Sequence, residues 1–115
     1  MLKSENRLKK DTEFRRIFRS VRPVCTTNLA VRVQESRTNV TRFGFVIGIK
    51  VEKLAVRRNA LRRLFHRAAR EFLPLIKTSL NIVVVVKQPF PYPYGPNEIK
   101  RQLEEGLRKA GVLKQ

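Results

Sequence analysis

The sequence predicts one mixed α+β domain, its elements running helix, two or three strands, helix, strand, helix (α-β-β(-β)-α-β-α). Three observations carry that prediction. The stretch Asn81-Ile82-Val83-Val84-Val85-Val86-Lys87 is β-branched and continuously apolar, the pattern of a strand buried on both faces. Residues 54–75 and 97–110 place apolar side chains at helical spacing, with charged residues between them. The chain has 115 residues, enough for one core, and neither a repeat nor a shift in composition marks a second domain.

The elements follow in order. The first ten residues are mostly polar and charged, lack the apolar core of a secretory signal, and are expected to be flexible. Residues 11–18 form a short helix: Asp11 can cap it, and Phe14, Ile17 and Phe18 share one face. Arg22-Pro23 ends it. Residues 29–34 alternate apolar and polar, as a half-buried strand does, and residues 35–41 turn the chain. A second strand covers residues 43–49; Gly44 and Gly48 within it point to a bulge or a close backbone approach. The long helix spans residues 54–75, with Pro74 near its end. After the buried strand, residues 88–96 hold Pro89, Pro91, Pro93, Gly95 and Pro96, too many breakers for regular structure. Asn97 caps a last helix whose inward stripe is Ile99, Leu103 and Leu107, closing near Gly111.

Charge bounds the function. There are 26 Lys+Arg against 9 Asp+Glu, a formal net charge of +17, so the partner is a polyanion. Arg outnumbers Lys, which favours nucleic acid, because a guanidinium binds phosphate in two-pronged fashion and stacks on bases. No membrane is implied: there is no Trp, and no apolar run approaches the ~20 residues that cross a bilayer. Cys25 is the only cysteine, so there is no internal disulfide; it reads as a small buried or half-buried hydrophobe, and a cytoplasmic location is expected.

The long helix carries the sharpest signal. At ~100° per residue, Leu61, Leu64, Phe65, Ala68 and Phe72 fall on one stripe that should pack on the sheet. Asn59, Arg62, Arg63, His66, Arg67 and Arg70 cover the opposite face, with Arg58 at its border. Cations one turn apart destabilise a bare helix, and only Glu71 is near enough to compensate. A face built for stability alone would mix signs, so this one reads as a nucleic-acid contact.

Nothing in the chain makes a nuclease by itself. Metal-assisted phosphodiester cleavage needs clustered carboxylates, and the acids here are scattered, with Glu104 and Glu105 pointing apart on a helix. Ribonuclease-type acid–base chemistry needs a second histidine beside His66, which instead reads as a phosphate or solvent contact. No catalytic or metal-ligating residue is therefore assigned. Phe14 and Phe18 follow a basic segment and could stack on unpaired bases; for Phe18, core packing accounts for the ring equally well. Tyr92 and Tyr94, among prolines, read as structural.

Arg42-Phe43-Gly44-Phe45, followed by Ala55-Val56-Arg57-Arg58-Asn59-Ala60-Leu61-Arg62-Arg63, resembles the signature of the bacterial ribonuclease P proteins. Arg7-Leu8-Lys9, Phe14 and Phe18 match that family's N-terminal pattern, so the resemblance spans nearly the whole chain. It implies an α/β sandwich in which the Arg-rich helix joins parallel strands by a left-handed crossover, an exception to the usual hand. It implies that the partners are a large catalytic RNA and precursor tRNA, whose 5′ leader the pair removes, with no protein partner required. Arg57, Arg58, Asn59, Arg62, Arg63, His66, Arg67 and Arg70 would face the RNA subunit; Phe14, Phe18, Arg32 and Lys50 would hold the leader. Mg2+ would be bound mainly by the RNA and the substrate. The chain departs from the pattern at Ala60 and His66, where Arg is usual, and at Glu52-Lys53, where one residue is added and a Gly is usual. A ribosomal or ribosome-assembly protein would share the charge and size but would not need this helix. A DNA-architectural protein would show wedge residues or dimer symmetry.

Overall fold

The computed structural model describes residues 2–114. Its elements are α1 (Asp11–Ser20), β1 (Val24–Cys25), β2 (Leu29–Glu35), β3 (Arg42–Ile47), α2 (Ala55–Phe72), β4 (Leu80–Val86) and α3 (Pro96–Lys109), with 3-10 turns at Ser4–Asn6 and Leu73–Leu75. One four-stranded sheet has the order β1-β2-β4-β3. Strand β2 runs antiparallel to both β1 and β4, and β3 runs parallel to β4. The parallel pair is joined through α2, which gives the βαβ unit the resemblance implied.

The run Ile82 to Val86 lies in β4, one of the two inner strands, and its alternation divides the core in two. Ile82, Val84 and Val86 join Leu29, Val31, Phe43 and Phe45 on the side covered by α2 and α3. Ile99, Leu103 and Leu107, the expected stripe of α3, are buried there. Val83 and Val85 face the other way, against Leu8, Phe14 and Ile17, so α1 covers the second face. Helices on both faces are what an apolar two-sided strand requires.

Several local expectations are corrected. Asp11 is the first residue of α1 and makes no capping bond; Lys10 holds the cap position. Asp11 and Glu13 instead place negative charge in the first turn, where the helix dipole favours it. Asn97 likewise lies inside α3, whose cap is Gly95, because Pro96 is already shaped for a first helical turn. Gly111 closes α3 at φ 73°, and the Val112 N–H reaches back to the Leu107 carbonyl at 3.2 Å. Cys25 is exposed, because it sits on the two-residue edge strand β1.

The first ten residues, expected to be flexible, are held from residue 2 onward. Leu2 is buried in the larger core and Leu8 in the smaller one. The Leu8 N–H donates to the Phe43 carbonyl at 2.8 Å, and Arg7 bridges Phe43 in parallel. The segment thus covers the open edge of β3, whose free backbone groups would otherwise have only water. Composition could not show this, since two leucines among charges do the anchoring.

Gly44 fulfils the expected close approach: a Cβ built there would lie 2.5 Å from Cε1 and Cζ of Phe14. Glycine at this position lets α1 settle on β3 through the Phe14 ring. Gly44→Ala should therefore cost about 1–3 kcal/mol in chemical denaturation, the usual penalty for overpacking. Adding Phe14→Leu should recover part of that loss. Independent, additive losses would mean that the two residues do not share the space.

Candidate nucleic-acid interface

Helix α2 buries a different arc from the one its apolar residues suggest. Leu61, Phe65, Ala68 and Phe72 are buried as expected, together with Ala69 and His66, while Leu64 is only half-buried. The arc is turned towards β3 because Phe45 inserts its ring there. That ring stacks on Phe65 at 5.2 Å and meets the His66 ring edge-on at 5.3 Å. Leu64, at the other border, faces a groove between α2 and α3.

His66 is thus corrected from a surface contact to a core-edge residue, 7% exposed. Burial pushes its pKa down to about 4, and the nearby Arg7 and Arg62 guanidinium groups push the same way. The imidazole is neutral at physiological pH. Its Nδ1 is buried with no hydrogen-bond partner among the described residues.

The remaining members of the predicted face divide into groups. Asn59, Arg62 and Arg63 line one concavity of about 220 Å3 with Arg7 and the edge of His66. There Arg62 Nη1 donates to Asn59 Oδ1 at 2.8 Å, which fixes the guanidinium beside the amide. Arg67 and Arg70 lie one turn on, along the α2–α3 groove of about 500 Å3, with Lys100 opposite. Arg57 is drawn aside: its guanidinium carbon sits 3.8 Å from the Tyr92 ring centroid. Arg58 bends back, Nη1 donating to the carbonyls of Glu52 at 2.8 Å and Lys53 at 3.0 Å. Its first task is to hold the turn before α2, in which no side chain caps the helix.

The second predicted group lies across the sheet. Phe14 is half-buried against Gly44, so its ring belongs mostly to the core. Phe18, one turn later, is 40% exposed, and the Arg32 guanidinium carbon lies 4.7 Å from its centroid. Arg32 Nε also donates to the Val21 carbonyl at 3.3 Å, so the cation is held at the end of α1. Lys50 is exposed in the turn after β3, and no hydrogen bond or ion pair joins it to these three among the described residues.

Two participants escaped the sequence reading. Arg7 reaches the α2 concavity only because the N-terminal segment lies along β3, although its place in the Arg7-Leu8-Lys9 pattern was a usable signal. Arg42 ties α1 to the sheet by pairing with Glu13 and donating from Nε to Asn81 Oδ1 at 3.1 Å. Among the described residues, no three His, Cys, Asp or Glu side chains gather to hold a metal ion. No helix among them is long and apolar enough to cross a membrane.

Known proteins resemble this chain in sequence and in fold. A family model described as Ribonuclease P matches residues 2–111. The ribonuclease P protein component of Pseudanabaena sp. is 34% identical over 114 residues, which cover 98% of this chain and 97% of the relative. That of Symbiobacterium thermophilum is 32% identical, covering 97% and 96%. The RNase P protein structure from Staphylococcus aureus superposes with a TM-score of 0.83 at 24% identity, over 95% of this chain and 98% of that one. The structure from Thermotoga maritima gives 0.72 at 21% identity, over 86% and 92%. At these identities the structural likeness is one of fold.

The burial of His66 makes stability depend on pH in a definite direction. The folded state resists protonation below the ordinary value of 6.5, whereas the unfolded chain takes up the proton, so stability falls as the pH drops from about 6.5 towards 4. Between pH 7 and 5 the loss should be about 1–2 kcal/mol by denaturant titration. His66→Gln should flatten that slope; an unchanged slope would show that other groups set it.

Proposed function

The chain belongs to the ribonuclease P protein family, and from that membership we propose that it is the RNA-binding protein subunit of an endoribonuclease, assisting a catalytic RNA in removing the 5′ leader of precursor tRNA. The observation that carries this reading is the outward face of α2. Asn59, Arg62, Arg63, Arg67 and Arg70 lie along it, and the single acid nearby, Glu71, is engaged by Lys100 at 3.2 Å. A cationic face left without acids attracts phosphate rather than stabilising its own helix. In the same reading the cleavage chemistry belongs to the RNA, and Mg2+ is held by RNA and substrate phosphates. The holoenzyme is cytoplasmic.

The leader is assigned to the opposite face of the sheet. Phe18 and Arg32 supply an exposed ring with a fixed cation beside it, suited to an unpaired base and its backbone whatever the sequence. Phe14 supports this pair from the core, and Lys50 adds charge at the strand end. Two faces of one sheet would then grip two RNAs, the subunit on α2 and the leader beside α1.

Reconstitution with a bacterial ribonuclease P RNA, assaying leader removal at low magnesium, tests the proposal as a whole. The protein should restore cleavage that the RNA performs poorly alone, and magnesium-dependent cleavage by RNA-free protein would refute the division of labour. With about six to eight phosphate contacts at ~0.7 each, log K for RNA binding should fall with log salt at a slope of roughly −4 to −6. A slope shallower than about −2 would mean that charge is not the grip. Phe18→Ala should weaken binding of leader-bearing precursor by about 1 kcal/mol or more while mature tRNA barely changes. Equal weakening of both would remove the leader from this face.

A further inference from the structure

The segment between β4 and α3 is more than a connection. Tyr92, Pro93 and Tyr94 face the outer ridge of α2 across a slot of about 270 Å3, its opposite wall made by Ala60, Arg63 and Arg67. That volume is below the range of pockets for drug-sized ligands, so it suits one planar ring system and little else. Ala60 is the smallest side chain on that wall, which Leu64 also lines.

The aromatic wall is held in place. Tyr94 donates its hydroxyl to Glu52 Oε1 at 2.9 Å, and Glu52 Oε2 accepts from the Leu54 N–H at 3.2 Å. Tyr92 meets Tyr94 edge to face at 5.2 Å and carries the Arg57 guanidinium on its ring, yet remains 55% exposed. Preformed walls lower the entropy cost of binding, and a large aromatic ring left in water while its neighbours are fixed is a stacking surface. At the mouth, Arg63 and Arg67 are exposed one turn apart, and neither forms an ion pair among the described residues.

We propose that this slot takes one unpaired nucleotide of the RNA subunit, its base against Tyr92, Pro93 and Tyr94 and its flanking phosphates on Arg63 and Arg67. The inference rests on the reading of the chain as that RNA's partner and adds a base-stacking site to a face otherwise limited to phosphate contact. The source is the RNA subunit rather than the leader, because Arg63 belongs both to this slot and to the concavity beside it, whereas Phe18 lies across the sheet.

The test measures binding of the full chain to a bacterial ribonuclease P RNA and, separately, to precursor tRNA without that RNA. Tyr92→Leu removes the ring, and Ala60→Leu fills the slot while leaving the Arg57–Tyr92 contact in place. Both should bind the ribonuclease P RNA about five- to a hundred-fold more weakly, the range that stacking of one base supplies. Tyr92→Phe should bind like the parent, precursor tRNA affinity should be unchanged, and the salt slope should persist in Tyr92→Leu but shrink by about 0.7 in Arg63→Ala. Parent-like affinity in both Tyr92→Leu and Ala60→Leu, with melting curves like the parent's, overturns the slot. Equal weakening towards precursor tRNA overturns its assignment to the RNA subunit. A parent chain that ignores ribonuclease P RNA altogether would instead strike the proposed function.

Discussion

Strand β4 is apolar from Ile82 to Val86, and a strand with two apolar faces cannot leave either one to water. The rest of the fold answers that constraint. β2 and β3 flank it and supply its hydrogen bonds, antiparallel on one side and parallel on the other. α2 and α3 cover the face of Ile82, Val84 and Val86, and α1 with Leu8 covers Val83 and Val85. Because β3 must reach β4 in parallel, the chain between them has to cross the sheet, and that crossing is α2. The most cationic helix of the molecule lies across the sheet from α1.

Most of the paired acids are engaged away from the outward face of that helix. Glu13 pairs with Arg42 at the foot of α1, Glu98 with Arg101, and Glu104 with Arg108 along α3. Glu52 is occupied by the Tyr94 hydroxyl and a backbone amide, which lower its pKa, the amide most. The exposed pairs on α3 contribute little to stability; the consequence that matters is where they leave positive potential unopposed. The outward arginines of α2 repel one another, and the apolar contacts on the helix's other side offset that cost. A polyanion laid along α2 relieves it.

Ala60 and Glu52, two positions at which the chain departs from the pattern it resembles, are coupled in space through Tyr94. His66 lies apart from them, its ring at the core edge against Phe45. Ala60 opens the outer ridge of α2, and Glu52, in the lengthened turn, anchors the tyrosine that faces that opening. Arg58, which the pattern marks as a contact, holds the same turn by its carbonyls. Change in the turn and change on the helix therefore meet at one place, the entrance to α2.

The sequence by itself determined the main elements and the cationic charge that favours a polyanionic partner. The β-branched run, the spacing of Ile99, Leu103 and Leu107, and the cationic stretch of α2 act through local periodicity and charge, which need no tertiary information. Gly44 announced a close approach, though not that Phe14 would make it. Tertiary structure alone decided how far α2 rolls on the sheet. Its apolar stripe allowed a range of rotations, and the Phe45 ring selected the one that buries His66 and Ala69 and leaves Leu64 at the border. It likewise decided that Leu2 and Leu8 bring Arg7 to the cationic face, and that Tyr92 stands over Arg57 thirty-five positions away. Such contacts join residues distant in sequence, and they are set by shape and volume in a shared core rather than by any repeat along the chain.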